Sequence, residues 1–269
     1  MPELPEVETI VRQLKKKILN KTVVKFEVLD SKVVDRGIEK IVPFRIDKIY
    51  RRAKSIIFEL NKDRFLLVHL RMTGHFHHAK KGKENELKPY EKFVAAKFYL
   101  NDGSLLTHNS IRKFGHVKLK NKESLQKELS KLGLEPLDKE FTLKRFEEIL
   151  LKKKKSNVKV LLVDQSLIAG IGNIYAQEGL YHAGIDPHRK AGSLSQKEIE
   201  AIYRELIKIL KKAIEHHGTT VENYVHIEGS GGFQKYLAVY GKKTCKKRHE
   251  LRKVLIGGRG TSYCPRCQK

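Results

Sequence analysis

The sequence predicts an α+β multidomain protein: a leading helix with a β-sandwich, then a helical domain, then a small β-hairpin module. Three patterns along its 269 residues carry that prediction. Apolar residues near the N-terminus recur at three- and four-residue spacing, and short apolar or alternating runs fill the chain up to residue 119. Beyond a linker containing Gly and Pro the periodicity turns helical, until a Gly-rich, basic tail.

The leading helix rests on Leu4, Val7, Ile10, Val11, Leu14 and Ile18, which share one face. Pro5 suits the first turn, and Glu3, Glu6 and Glu8 complement the positive end of the helix dipole. Strands are expected at Thr22–Leu29, Ile46–Tyr50, Ser55–Leu60, Phe65–Leu70, Phe93–Leu100 and Ser104–Thr107. Turn chemistry such as Asn61-Lys62-Asp63 and Asn101-Asp102-Gly103 separates them, which reads as a sandwich. Gly133-Leu134-Glu135-Pro136-Leu137-Asp138 marks the linker. Helices are then expected at Phe141–Leu151, Ser166–Gly172, Asn173–Ala183, Ser195–His217 and Thr219–Val225, with Asp138, Ser193 and Ser195 at or near caps. The expected domains are 1–125 (sandwich with its leading helix), 126–139 (linker), 140–228 (helical) and 229–269 (hairpin module).

Composition narrows the partners. Lys and Arg number 56 against 31 Asp and Glu, a formal net charge of +25, which points to a polyanion and above all to nucleic acid. No apolar run approaches the roughly 18 residues of a membrane span, and no secretory leader is evident. Of three cysteines, two stand as Cys264-Pro265-Arg266-Cys267, which favours a metal site in a reducing cytosol over a disulfide framework.

The N-terminus offers its own chemistry. With Met1 removed, Pro2 would carry a free secondary amine, and α-amino groups titrate near ~7.7–8.0 against ~10.4 for Lys. Such an amine can attack a sugar carbon and pass to an iminium ion, with Glu3 beside it for proton transfer. An ordinary start with acids that cap a helix explains the same residues.

The order of motifs adds a family resemblance from end to end. The chain resembles the formamidopyrimidine-DNA glycosylases on Pro2 to Thr9 (PELPEVET), Arg51-Arg52-Ala53-Lys54, His69 to Gly74 (HLRMTG) and Arg112-Lys113-Phe114-Gly115. The likeness continues through Ile168 to Ala176 (IAGIGNIYA), Gly232-Phe233-Gln234 and Gly258 to Gln268 (GRGTSYCPRCQ). Leu4 is the choice of the oxidised-purine enzymes over their pyrimidine relatives. The resemblance implies Pro2, Glu3 and Lys54 as catalytic-site residues, with Met72, Arg112 and Phe114 filling the space left by a flipped base. It assigns Gly170 to Ile174 to a helix–two-turn–helix unit whose Asn173 binds phosphate. Lys54 and Arg259 would clamp phosphates next to the lesion, and Lys155 would lie near the damaged base.

Several positions depart from the family pattern. The family tail carries two Cys-x2-Cys pairs; here Cys245 is followed by Arg248 at the expected position and His249 one residue later. Cys245, His249, Cys264 and Cys267 still form a sound Cys3His zinc set, the alternative being a hairpin held by packing alone. Phe93 stands for a phosphate-contacting His, Arg71 for the Gly before the wedge, and Ser110 for an Asp ahead of Arg112. The stretch from Val225 to Gly232 is shorter than the family's loop over the damaged base.

The expected function is a monomeric, cytoplasmic, nucleoid-acting DNA glycosylase and abasic-site lyase with one Zn2+, acting on oxidised purines in double-stranded DNA. Two alternatives stand beside it: an oxidised-pyrimidine glycosylase on the same scaffold, and a binding protein that senses damaged DNA without cutting it.

Overall fold

An amphipathic helix must bury its apolar stripe, and α1 (Leu4–Ile18) does so: Leu4, Val7, Ile10, Leu14 and Ile18 are wholly inaccessible to solvent. The computed structural model describes residues 2–220 and 227–269, which form two compact units. One comprises Met1–Ser130 with His217–Gly232, the other Lys131–His216 with Phe233–Lys269.

In the first unit α1 packs on a β-sandwich of β1 (Thr22–Val28), β2 (Phe44–Arg52), β3 (Ser55–Leu60), β4 (Arg64–His69), β5 (Gly74–Ala79), β6 (Val94–Leu100), β7 (Leu105–Ser110) and β8 (His116–Asn121). The order β5-β7-β6-β1-β2-β3-β4-β8 is antiparallel throughout. Only two residue pairs, Thr22↔Arg45 and Val23↔Phe44, join the two four-stranded halves, so the sheet folds over at β1–β2. Phe58 of β3 meets Phe76 of β5 and Phe98 of β6 at 6.2 and 6.5 Å between ring centroids, closing one core with the apolar face of α1. The helix α2 (Lys122–Leu129) follows, capped by Asn121.

The second unit holds α3 (Leu143–Leu151), α4 (Val158–Val163), α5 (Asn173–His182), α6 (Gln196–Glu215) and a ribbon of β9 (Arg252–Ile256) and β10 (Arg259–Tyr263). Ser195 caps α6 in a reciprocal box with Glu198.

Every expected strand forms. Two further strands, β5 and β8, form where the sequence, GHFHHA and HVKLKN, is too polar to show an apolar run. Ser166–Gly172, expected as a helix, is a turn; the helix lies upstream at Val158–Val163, capped by Asn157. The apolar VLLV run there is too short for periodicity to distinguish helix from strand. The helix expected at Thr219–Val225 falls mostly outside the described residues. No helix among the described residues is long and apolar enough to cross a membrane.

The polar β5 brings buried histidines into the sandwich. His108, paired with Phe76, is wholly buried with no protein partner on either ring nitrogen, and burial holds its pKa down at about 3. His77 stacks on Tyr90 at 3.7 Å; burial, then the neighbouring His75, brings it to about 4. These rings are neutral when folded but titrate near 6.5 when unfolded, so their contribution is complete above about pH 6.5 and is lost as pH falls toward 4. Denaturant unfolding should therefore show a loss of about 2 kcal/mol from His108 alone between pH 7.5 and 5. His108→Leu should flatten that dependence, and an unchanged pH profile would assign the loss elsewhere.

Candidate functional site

The first turn of α1 is built around Glu6. Its Oε2 accepts the backbone N–H of Glu3 at 2.8 Å, while its Oε1 accepts that of Thr219 at 2.7 Å. Gly218 fits against this carboxylate with φ +77°, and a Cβ there would lie 2.8 Å from Oε1. Pro2 and Glu3 are buried, Glu3 to 2 % exposure, where most chain ends fray.

Two residues further along α1, Glu8 receives Arg51 Nε at 3.1 Å. Burial pulls this carboxyl up, but Arg12 and Arg51 outweigh it and its pKa is lowered. Arg51 also donates to the carbonyl of Ala53 at 3.1 Å, fixing the tight β2–β3 turn in which Ala53 adopts φ 53°. That turn carries Lys54, 5 % exposed. Nearby His69 is brought to about 3 by burial first, then by the positive fields of Arg71, His116 and Lys54. Its Nδ1 accepts the N–H of Arg71 at 3.1 Å, so the ring stays neutral in an electropositive setting.

Two loops present the apolar residues singled out in the sequence. Met72 is 38 % exposed and Phe114 59 % exposed, among the few large apolar side chains of this unit that stand outside its core. Each follows a residue in left-handed conformation, Arg71 at φ 54° and Lys113 at φ 55°. A left-handed position is one that Gly adopts more readily than Arg, so Arg71 holds a strained conformation here. The Arg112 N–H donates to Thr73 Oγ1 at 2.9 Å, tying the loops together, and its guanidinium sits 5.0 Å over the Phe114 ring. Ser110, in place of an acid, is buried with its hydroxyl unpartnered, so the stack on Phe114 orients Arg112 instead. Phe93 ends a 3-10 turn under Lys92.

In the second unit Gln165 shapes the turn between α4 and α5. Its Oε1 accepts from Gly170 at 3.0 Å and its Nε2 donates to Val163 and Ile171 at 2.9 and 2.7 Å. Asn173 opens α5, and its Nδ2 donates to the Gly260 carbonyl at 2.9 Å. Gln177, one turn later, donates to the same carbonyl at 3.3 Å and accepts the Ser262 N–H at 2.7 Å. Together they fasten the ribbon that carries exposed Arg259 to the helix start. Glu178 accepts the N–H groups of Ala238, Val239 and Tyr240 at 2.7–2.9 Å; burial pushes its carboxyl up against that pull. Lys155 is exposed in the turn after α3. Gln165, Gln177 and Glu178 were missed in the sequence; only the one-turn spacing of Asn173 and Gln177 hinted at a shared face.

Cys245, His249, Cys264 and Cys267 converge, with ligand atoms within 4.8 Å of one another. His249 Nδ1 lies 3.2 Å from Cys267 Sγ and 3.7 Å from Cys264 Sγ, and the Cys245 and Cys267 sulfurs are 4.0 Å apart. Tetrahedral zinc requires S···S separations of roughly 3.8 Å and N···S of roughly 3.5 Å, so the four donors fit one ion. The ion would staple the base of the β9–β10 ribbon.

Comparison with known proteins covers the whole chain. Family models match the formamidopyrimidine-DNA glycosylase N-terminal domain over residues 1–117, the H2TH domain of the same enzymes over 132–225, and a zinc finger found in FPG and IleRS over 248–269. The formamidopyrimidine-DNA glycosylase of Brevibacillus brevis is 40 % identical across 100 % of this chain and 99 % of its own; that of Carboxydothermus hydrogenoformans is 41 % identical with full coverage of both. Among solved structures, a Lactococcus lactis FPG mutant with Fapy-dG DNA matches at TM-score 0.90 and 34 % identity over all of both chains. The Lactococcus lactis enzyme with abasic-site DNA gives the same score and identity over 99 % of each.

Elemental analysis of untagged protein should return about one zinc per chain, lost in Cys264→Ser and reduced in His249→Ala. The ribbon should then disorder locally while the sandwich core persists. Metal-free protein with an intact ribbon would mean that packing alone holds it.

Proposed function

The chain belongs to the formamidopyrimidine-DNA glycosylase family, and we propose on that premise that it is a bifunctional glycosylase and abasic-site lyase removing oxidised purines from duplex DNA. The observation that carries the reading is the buried, hydrogen-bonded Pro2–Glu3 terminus, fastened through Glu6. A nucleophile needs a fixed position, and this terminus has one.

In the reaction, the Pro2 nitrogen with Met1 removed forms a bond to the anomeric carbon of the flipped nucleotide. The bond from that carbon to the base breaks, and the base leaves neutral, taking up the proton that the Pro2 nitrogen loses. Glu3 moves the proton needed to open the sugar, leaving an iminium between Pro2 and the former anomeric carbon. Loss of a C2′ proton then expels the 3′ phosphate, loss of the C4′ proton expels the 5′ phosphate, and water hydrolyses the remaining iminium, freeing Pro2 and an unsaturated sugar aldehyde. Neither stage changes the oxidation state of the protein, so no redox cofactor takes part.

Unstacking a base costs a few kcal/mol. Met72 and Phe114, exposed on loops braced by Thr73, fill the gap, and Arg112 pairs with the orphaned base. Lys54, Asn173 and Arg259 contact phosphates near the lesion; Asn173 acts chiefly by holding the Arg259 ribbon. Lys155 lies near the damaged base. Zinc, held by Cys245, His249, Cys264 and Cys267, serves only the fold of the ribbon. The protein acts as a monomer. Oxidised pyrimidines are the second reading, because the Lactococcus lactis enzyme has also been solved with DNA containing an oxidised pyrimidine.

Borohydride trapping on abasic and 8-oxoguanine duplexes tests the chemistry. Pro2→Gly should retain reduced trapping through its primary amine, protein retaining Met1 should trap nothing, and Glu3→Gln should lose about 10²–10⁴-fold in base excision. Normal trapping with Met1 in place would sink the terminal-amine mechanism. A lesion panel decides between purine and pyrimidine preference.

Met72→Ala and Phe114→Ala should slow excision of a paired lesion by more than they slow cleavage of a preformed abasic site, where no base must be unstacked. Equal losses on both substrates would remove them from the void-filling role.

A further inference from the structure

The zinc module carries a second concentration of charge that the reaction above does not use. A cleft of about 450 Å³ is lined by Arg248, His249, Glu250, Arg252 and Arg266, among others. All three arginines are exposed, and among the described residues none is ion-paired, although Glu250 lines the same cleft. Guanidiniums that share a cleft repel one another, and an anion between them relieves that repulsion.

The local fold explains their convergence. The first knuckle has one residue more than a Cys-x2-Cys pair, and the chain absorbs it by placing Arg248 at φ 62°. The turn closes through Arg248 N–H to Cys245 O at 2.8 Å and Cys245 N–H to His249 O at 2.9 Å. Arg248 thereby joins Arg252 at the start of β9 and Arg266 between the last two cysteines. His249 turns Nδ1 toward the thiols, so metal on that nitrogen leaves the proton on Nε2 as a further donor.

We propose that this cleft is a phosphate-binding site that grips the backbone of DNA, separate from the contact made by Arg259. The inference rests on the DNA-binding part of the function proposed above. Guanidinium forks match phosphate oxygens in pairs, which suits a cleft lined by Arg where no Lys lines it. The register separates the two grips: Arg252 faces Tyr263 at one end of the ribbon and Arg259 faces Ile256 at the other. Four residue steps at the usual rise put them roughly 13 Å apart, too far to share one phosphate.

The test is the salt dependence of binding to a duplex containing a tetrahydrofuran abasic analogue, and to the same duplex undamaged. Arg252→Gln/Arg266→Gln should lower the slope of log K against log [KCl] by about 0.9 for each phosphate lost, one or two in all. Arg259→Gln should remove its own increment, and the triple variant should sum the two. Zinc content and single-turnover cleavage at saturating protein should stay at the wild-type level in the double variant. An unchanged slope with zinc retained overturns the proposal; if the double variant loses zinc, the single variants Arg252→Gln and Arg266→Gln are judged by the same slope. Inorganic pyrophosphate at constant ionic strength should compete with DNA for the wild type and less for the double variant. Pyrophosphate binding that depends on these arginines, with no change in DNA slope, would make the cleft a free-anion site and overturn the DNA assignment. Because undamaged duplex is measured too, a wild type that fails to trap abasic DNA would sink the lyase reading and leave this one standing.

Discussion

One carboxylate, that of Glu6, holds two pieces of backbone more than 200 positions apart in sequence: the N–H of Glu3 and the N–H of Thr219. A carboxylate that accepts backbone N–H groups at a helix start is favoured twice, by the hydrogen bonds and by the helix dipole. It converts a chain end, ordinarily frayed, into a fixed element of the core. The demands spread outward from there. Gly218 must lack a Cβ to sit against it, and α1 also supplies Glu8 to Arg51, which in turn braces the turn bearing Lys54. The terminus and the lysine are thus positioned by one helix.

The same logic of backbone fixed by a few polar side chains recurs in the second unit. Gln165 shapes the α4–α5 turn, while Asn173 and Gln177 hold the ribbon through a shared acceptor, Gly260. Short elements without large cores of their own need such ties, and the zinc-compatible cluster adds another at the base of the ribbon. The departures from the family pattern fit this local economy. An Arg at a left-handed position before Met72 and a longer knuckle at Arg248 are both accommodated by positive φ, with charge gained at each place.

The high positive charge is not matched by protonated histidines. His69, His77 and His108, on β4, β5 and β7, stay neutral chiefly because burial opposes their charge, and at His69 the cations Arg71 and Lys54 add to it. These three rings therefore add nothing to the electropositive character at neutral pH, which Lys and Arg dominate.

The sequence by itself determined the fold class, because periodicity follows directly from which face each residue buries: the face of α1, the six expected strands and the long α6 needed no tertiary information. The family resemblance pointed to Cys245, His249, Cys264 and Cys267 as a donor set, with a hairpin held by packing as the alternative, and the fold brings the four together. Only the tertiary structure decided what depends on contacts between distant residues. Strands β5 and β8 are polar in sequence and become strands through pairing with β7 and β4. The turn at Ser166–Gly172 is non-helical because Gln165 takes its backbone groups. Glu6, Gln177 and the cleft arginines reveal their partners only in space, because side-chain hydrogen bonds and charge clusters leave no period in a sequence.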